Sequence, residues 1–255
     1  MKKILFITLV LSLFAIPSYA SDPNMEEMWD AGNTFYVNGD YGNAIMAYEE
    51  IVKEGYAGSK LYYNLGNAYF KDNSLGKAIV NYNKAQRLAP YDMDIEYNLS
   101  VANSYIKDRI ETVPDFFINN WVRKLRTSLS SNVWAVISLV LLAAAAGCIL
   151  VYILSVKKGR RKAGFFVAIG LAVLFCVSVS FSVVERRELV DSSQAVVIVP
   201  SVSVKSSPDD AGKELFIIHE GTKVGVTGTY GAWTEVVIAN GNKGWLRDAA
   251  MEYID

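Results

Sequence analysis

Cysteine and histidine are almost missing from this 255-residue chain: there are two cysteines, Cys148 and Cys176, and one histidine, His219. Both cysteines fall inside long apolar runs. Residues 24–111 and 194–255 therefore fold without disulfide staples. In the hairpin argued below, the two sulfurs differ in depth by roughly 7–10 Å. That separation argues against a bond between them, and small apolar residues are the plainer reading. The scarcity excludes a thiol nucleophile or a cysteine–histidine metal centre in the flanking segments. His219 follows an apolar run and reads as a strand-end residue rather than a base. Neither a Gly-rich phosphate loop nor a Gly-x-Ser-x-Gly elbow occurs. Acids such as Asp209 and Asp210 leave a carboxylate pair open, although adjacent acids in a turn are usually solvated. The expectation is a non-enzymatic protein with no cofactor and no metal.

Charge is absent from residues 132–156 and again from residues 163–184. As helices these runs reach about 37 Å and about 33 Å, enough to cross a hydrocarbon core of about 30 Å. Neither has the polar stripe of a soluble core helix. Without an ionisable residue inside, a proton or ion pathway is not supported. The six residues between them, Lys157-Lys158-Gly159-Arg160-Arg161-Lys162, are too few for a domain. The two spans must form a tight hairpin, and the basic loop belongs in the cytoplasm. Arg123, Lys124 and Arg126 before the first span, and Arg186 and Arg187 after the second, dilute the asymmetry. Ala143 and Gly147, and Gly164, Ala168 and Ala172, recur at intervals of four and suit close helix packing.

The first residues decide the direction. Lys2 and Lys3 precede an apolar run over residues 4–16, followed by Pro17-Ser18-Tyr19-Ala20. This reads as a signal peptide over residues 1–20, with cleavage after Ala20. An uncleaved anchor would export the same residues. Both flanks of the hairpin are then expected outside the cytoplasm.

Charge is also partitioned. Residues 112–193 carry a net +6, residues 24–111 a net −5 and residues 194–255 a net −3. Basic groups thus line the membrane edges, where they suit anionic headgroups. The acidic flanks argue against nucleic acid.

The stretch before the membrane repeats itself. Ala31-Gly32-Asn33 recurs as Leu65-Gly66-Asn67, Ala44 as Ala78, and Tyr48 as Tyr82; Trp29, Tyr63 and Tyr97 form an aromatic series. Every offset is 34. Leu65, Gly66, Tyr69, Ala78, Tyr82, Ala85 and Pro90 resemble the tetratricopeptide pattern of that period. Residues 24–111 are read as about 2.5 such repeats, the last a single lid helix. Gly32, Gly66, Ala44 and Ala78 would be small where helices approach, and the tyrosines would fill the gap between pairs. The first helices should form a concave face from Trp29, Asn33, Tyr36, Tyr63 and Asn64. Asn67, Phe70, Tyr97 and Asn98 continue it. Asparagines suit a peptide backbone and aromatics supply contact area. Equally, the asparagines fit plain helix surface and the aromatics core.

Residues 112–131 read as a linker. Pro114 and Asp115 suit a helix start. Phe117, Trp121 and Leu125 then share one face beside Arg123, Lys124 and Arg126. The pattern fits a helix lying on the outer leaflet, with Trp134 nearby as a belt residue.

From residue 194 the texture is β: five or six short apolar runs separated by clusters such as Ser206-Ser207-Pro208 and Asn240-Gly241-Asn242. Val202, Val204, Gly221, Thr222, Trp233, Gly244 and Trp245 resemble a bacterial SH3 domain over residues 194–255. The resemblance implies a small barrel that binds peptides or cell-wall fragments. Tyr230, Trp233 and Trp245 are its candidate face, unless both tryptophans are core.

The order of signal, repeats, hairpin and SH3-like tail resembles the BatE family of the Bacteroides aerotolerance operon. That resemblance implies an inner-membrane protein acting beside Bat proteins with von Willebrand A-type domains and a MoxR-type ATPase. The fold class expected is a multidomain membrane protein: an all-α tetratricopeptide array, a two-helix transmembrane hairpin and an all-β SH3-like barrel. The function expected is a scaffold whose periplasmic parts bind protein partners. The alternative is an envelope sensor whose tail grips peptidoglycan or peptide.

Overall fold

The computed structural model describes residues 23–110, 117–190 and 193–254. The signal peptide and the Pro114–Asp115 helix start lie outside them. Among the described residues are eight helices and seven strands.

Five helices form the array: α1 (Pro23–Val37), α2 (Tyr41–Lys53), α3 (Ser59–Lys71), α4 (Leu75–Leu88) and α5 (Met93–Ser104). The repeat is visible in the turns. Gly39 and Asn73, 34 apart, both adopt positive φ, 79° and 62°, between paired helices. The carboxylate of Asp40 caps α2, and that of Asp92 caps α5 by accepting from the Asp94 and Ile95 amides. The small residues do what their size requires. A Cβ on Gly32 would lie 2.6 Å from the Tyr48 ring, and one on Gly66 2.8 Å from the Tyr82 ring. The tyrosines therefore fill space inside each helix pair, not between pairs as expected. Ala44 and Ala78 are fully buried. The third repeat keeps only α5, with Ile95, Leu99 and Ala102 turned inward.

Helix α6 (Phe117–Arg126) leads to the hairpin of α7 (Ser131–Leu154) and α8 (Lys158–Val190). Both hairpin helices are long and apolar enough to cross a membrane. The expected six-residue loop shrinks to residues 155–157, because Lys and Arg are strong helix formers and continue α8 through the basic run. Arg161 stacks on Tyr152 at 4.9 Å across the bend. Packing uses Gly164, where a Cβ would meet the Cys148 carbonyl at 3.0 Å, with Ala168 and Ala145. The expected Ala143 and Gly147 face outward instead; nothing lies within 4 Å of a Cβ on Gly147. At the other end Ser178 Oγ donates to the Trp134 carbonyl at 2.8 Å and Ser182 Oγ to the Ser131 carbonyl at 2.9 Å. Cys148 and Cys176 are free.

The tail is one antiparallel sheet of β1 (Gln194–Val197), β2 (Ser201–Lys205), β3 (Glu214–His219), β4 (Lys223–Tyr230), β5 (Trp233–Val237), β6 (Lys243–Arg247) and β7 (Met251–Tyr253). Its order is β3-β2-β6-β5-β4-β1-β7. The expected barrel is not closed, since β3 and β7 are its unpaired edges among the described residues. The closing strand is drawn elsewhere. Lys84 of α4 pairs with Glu252 of β7 at 3.3 Å, and Arg87 donates to the Ile254 carbonyl. Val197, Val204, Ile218, Val224, Val236 and Leu246 fill the sheet's own core.

The array and sheet share a second core. Val196 and Ile254 belong to the same apolar cluster as Ile79, Tyr82 and Leu99. The two backbones nearly touch. A Cβ on Gly76 would meet the Val197 carbonyl at 2.6 Å, and one on Gly221 would lie 3.0 Å from both Ile79 and Ile106.

Candidate functional site

The concave face is organised by an asparagine ladder. In the first repeat the Tyr48 hydroxyl donates to Asn33 Oδ1 at 2.8 Å, and Asn64 Nδ2 of the next repeat donates to the same oxygen at 3.1 Å. One repeat later the Tyr82 hydroxyl donates to Asn67 Oδ1 at 2.7 Å, and Asn98 Nδ2 donates to it at 2.8 Å. Asn98 Nδ2 also reaches the Tyr63 hydroxyl at 2.9 Å. A tyrosine inside one pair and an asparagine from the next therefore share one oxygen. Burial raises the Tyr48 and Tyr82 hydroxyls above the ordinary phenol value, so both remain donors. The ladder uses Oδ1 of Asn33 and Asn67 and Nδ2 of Asn64 and Asn98. Their other amide ends make no hydrogen bond to the described residues, which leaves donors and acceptors for a ligand.

Two cavities of about 270 Å³ each open beside the ladder. One is lined by Tyr36, Tyr63, Asn67, Phe70, Lys71, Tyr82, Asn98 and Val101. The other is lined by Trp29, Ser59, Lys60, Tyr63, Asn64, Asp92, Asp94 and Ile95. Tyr63 belongs to both. Seven of the nine expected groove residues thus line one face; Asn33 lines neither cavity and enters only through the ladder. Tyr97 departs from the set. Its repeat equivalents Trp29 and Tyr63 rest on the Tyr48 and Tyr82 rings at 5.7 Å and 6.1 Å. The third repeat supplies no such tyrosine, and Tyr97 stays 69% exposed. Ser100 and Val101 stand where the earlier repeats have Gly and Asn. That end is built to close the stack, because neither a tyrosine ring nor a ladder bond would fit. Lys60, Lys71, Asp92 and Asp94, which put charge of both signs beside the aromatics, were missed. The repeat offset alone carries no signal for them, since their equivalents are not of one kind.

The aromatic face of the sheet is also distinct from core. Trp233 opposes Tyr230 on one side and Arg247 on the other, while Trp245 opposes Glu235 and Lys205. These residues share the face opposite to buried Thr234, Val236 and Leu246. The tryptophans are therefore not barrel core. Tyr230 is exposed, and the Arg247 guanidinium lies 5.0 Å from the Trp233 ring centre.

His219 ends β3 as expected, but it is not solitary. Asp108, in the segment leaving α5, accepts from the His219 amide at 2.6 Å, from its Nδ1 at 2.7 Å and from Thr222 Oγ1 at 2.7 Å. Lys107 Nζ lies 2.9 Å from Nε2. Burial pushes the Asp108 carboxyl up, yet its hydrogen bonds from Thr222 and His219 outweigh this and hold it below the ordinary aspartate value. Glu220 in the same turn accepts from the Gly76 amide at 2.7 Å. It thereby caps α4, whose own Ser74 makes no side-chain cap. The Gly221-Thr222 turn, read from sequence as part of an SH3-like loop, is the docking point for the array. Among the described residues no group of three or more His, Cys, Asp or Glu could hold a metal.

Residues 59–92, covering α3 and α4, match the tetratricopeptide repeat family. The match spans a minor part of the chain and does not single out the BatE family. No curated protein matches the chain.

Proposed function

We propose that this protein is a non-enzymatic scaffold of a bacterial inner membrane whose concave array face binds an extended segment of a partner protein. The observation that carries the reading is the tetratricopeptide match at residues 59–92, with aromatic cavities and unspent amide groups along one face of that repeat. Tetratricopeptide repeats generally serve protein–protein interaction. Flat aromatic area with adaptable amides suits a peptide, whose own backbone groups need partners.

Sidedness is part of the proposal. The docking of array against sheet requires one aqueous compartment for both, and a two-helix hairpin returns the chain to the side it left. The basic run at residues 157–162 favours the cytoplasm for the bend and the periplasm for both folded parts. α6 supports a surface location: Phe117, Trp121 and Leu125 are exposed on one face. The overall order of parts is similar to the BatE family. Under that resemblance the partners are Bat proteins with von Willebrand A-type domains and a MoxR-type ATPase.

A second reading is favoured by the outward face of Tyr230, Trp233 and Trp245. There the sheet would hold peptidoglycan or a peptide, and the protein would act as an envelope sensor.

Affinity capture of the detergent-solubilised chain tests the scaffold. Co-purifying membrane proteins should fall away with Tyr63→Ala or Lys71→Glu and persist with Trp233→Ala. Capture that survives the first two variants and fails with the third would replace the groove by the sheet face. Reporter fusions after Ile110 and Tyr253 that mark opposite compartments would defeat the sidedness.

A further inference from the structure

A cavity of about 660 Å³ lies where the array meets the start of the hairpin. Its walls come from both. The end of α4 and the residues after it supply Lys84, Arg87 and Tyr91, the beginning of α7 supplies Ser131 and Asn132, and α8 supplies Arg186. Neither part forms it alone.

Three features place the cavity at the level of lipid headgroups. Trp134 lies one turn into α7 and donates Nε1 to the Arg126 carbonyl at 2.9 Å, at a depth typical of belt tryptophans. Arg126 itself, nearly buried, pairs with Glu185 at 2.9 Å and with Glu188 at 2.8 Å on either side of Arg186. α6 brings its exposed Phe117, Trp121 and Leu125 to the same end of the hairpin. Charged side chains stop at this plane, since residues 132–156 and 163–184 contain none.

The lining chemistry is that of a phosphate site. Arg186 supplies a positive charge, Lys84 and Arg87 add two cations that already share their charge with other groups, and Tyr62, Tyr91, Ser130 and Ser131 supply hydroxyls. The sheet holds two of the cations in position: Glu252 pairs with Lys84, and the Ile254 carbonyl accepts from Arg87. Burial, and after it the field of the Glu185 carboxylate, raise the Tyr91 hydroxyl, and that carboxylate is engaged by Arg126. Leu88 and Pro90 make the remaining wall apolar.

From this placement we infer that the cavity binds the phosphate headgroup of an anionic phospholipid from the adjoining leaflet, its glycerol against Leu88 and Pro90. The inference rests on the membrane reading of α7 and α8. A bound lipid would bridge array and hairpin, fixing the height of the peptide groove above the bilayer.

The test uses the full chain in detergent, with lipid adducts counted by native mass spectrometry. Phosphatidylglycerol should be retained over phosphatidylcholine by about tenfold or more, and Arg186→Gln should remove about fivefold of that preference. Arg186→Lys should keep most of it. Asn132→Asp adds a repelling charge where an acid suits a helix start, so it should weaken retention without unfolding the chain. Arg160→Gln, at the opposite end of the hairpin, should change nothing. Equal retention of the two lipids, or full preference in both Arg186→Gln and Asn132→Asp, would overturn the site. Displacement of phosphatidylglycerol by millimolar inorganic phosphate would assign the cavity to a soluble phosphate and remove the lipid. Carbonate extraction separates the two readings: release of the chain from membranes defeats the membrane reading, whereas an embedded chain without lipid preference defeats this inference alone.

Discussion

Helices α3 and α4 and helices α7 and α8 are both antiparallel pairs, yet they are built inside out relative to each other. In α3/α4 the apolar residues turn inward: Leu65, Tyr69, Ile79 and Tyr82 are buried, and a tyrosine ring seals the pair over Gly66. In α7/α8 the contact is made by Gly164, Ala145 and Ala168, while Leu139, Val140, Ile153 and Phe166 point outward. In water, large apolar side chains stabilise a pair by leaving solvent. In lipid that gain vanishes, and close backbone approach with serine-to-carbonyl bonds replaces it. The difference in packing is what the proposed lipid setting of α7/α8 would produce, and it supports that proposal independently of helix length.

The comparison can be broken at specific residues, the largest effect first. Arg126→Gln leaves Glu185 without its cation at the hairpin's water edge, where the two side chains are 9% and 12% exposed. A loss of about 3 kcal/mol is expected for the junction of α6 with the hairpin, read as increased protease cleavage between α6 and α7. Gly66→Val drives a side chain into the Tyr82 ring and should cost about 2–3 kcal/mol in thermal unfolding of the folded part. Gly147→Val has open space and should cost nothing measurable. A similar loss at both glycines would mean that α7 packs on its Gly147 face after all.

Asp108→Ala removes the acceptor shared by His219 and Thr222 and should cost about 2 kcal/mol, chiefly from the groups left unpaired. The same contact predicts a pH response. The folded Asp108 carboxyl titrates below its unfolded value, so its contribution is fully present above about pH 4. It is lost as pH falls through the folded value. The protection factor of the His219 amide, relative to its intrinsic exchange rate at each pH, should therefore fall on the acid side. Tyr97→Ser should shift stability by less than about 0.5 kcal/mol, because this ring is mostly exposed. Tyr63→Ser, at the equivalent position, should cost several times more. Equal effects would show that a further partner covers α5.

Much of this was legible along the chain. The 34-residue offset gave the helix pairs, although it put the recurring tyrosines between pairs and not over the glycines inside them. Freedom from charge gave the hairpin, although Lys and Arg carried α8 through the expected loop. Short apolar runs between turn clusters led to five or six expected strands, against seven in the structure. The docking left no such trace. Gly42 and Gly76 hold the same position in successive repeats, yet only Gly76 is met by strand backbone. Asp108 and His219 are 111 residues apart, with both long apolar helices between them. The short β7 is specified by its neighbours β1 and α4 rather than by a run of its own.

Sequence by itself determined which segments are helical and which are β, because periodicity and hydropathy are local properties that act on a helix or strand before it meets anything else. Only the tertiary structure decided that tail and repeats form one body, that the sheet stays open, and that basic residues of two segments converge at the start of the hairpin. Those outcomes depend on contacts closed across long stretches of chain. Shape and hydrogen-bond geometry select such contacts, and no local pattern encodes them.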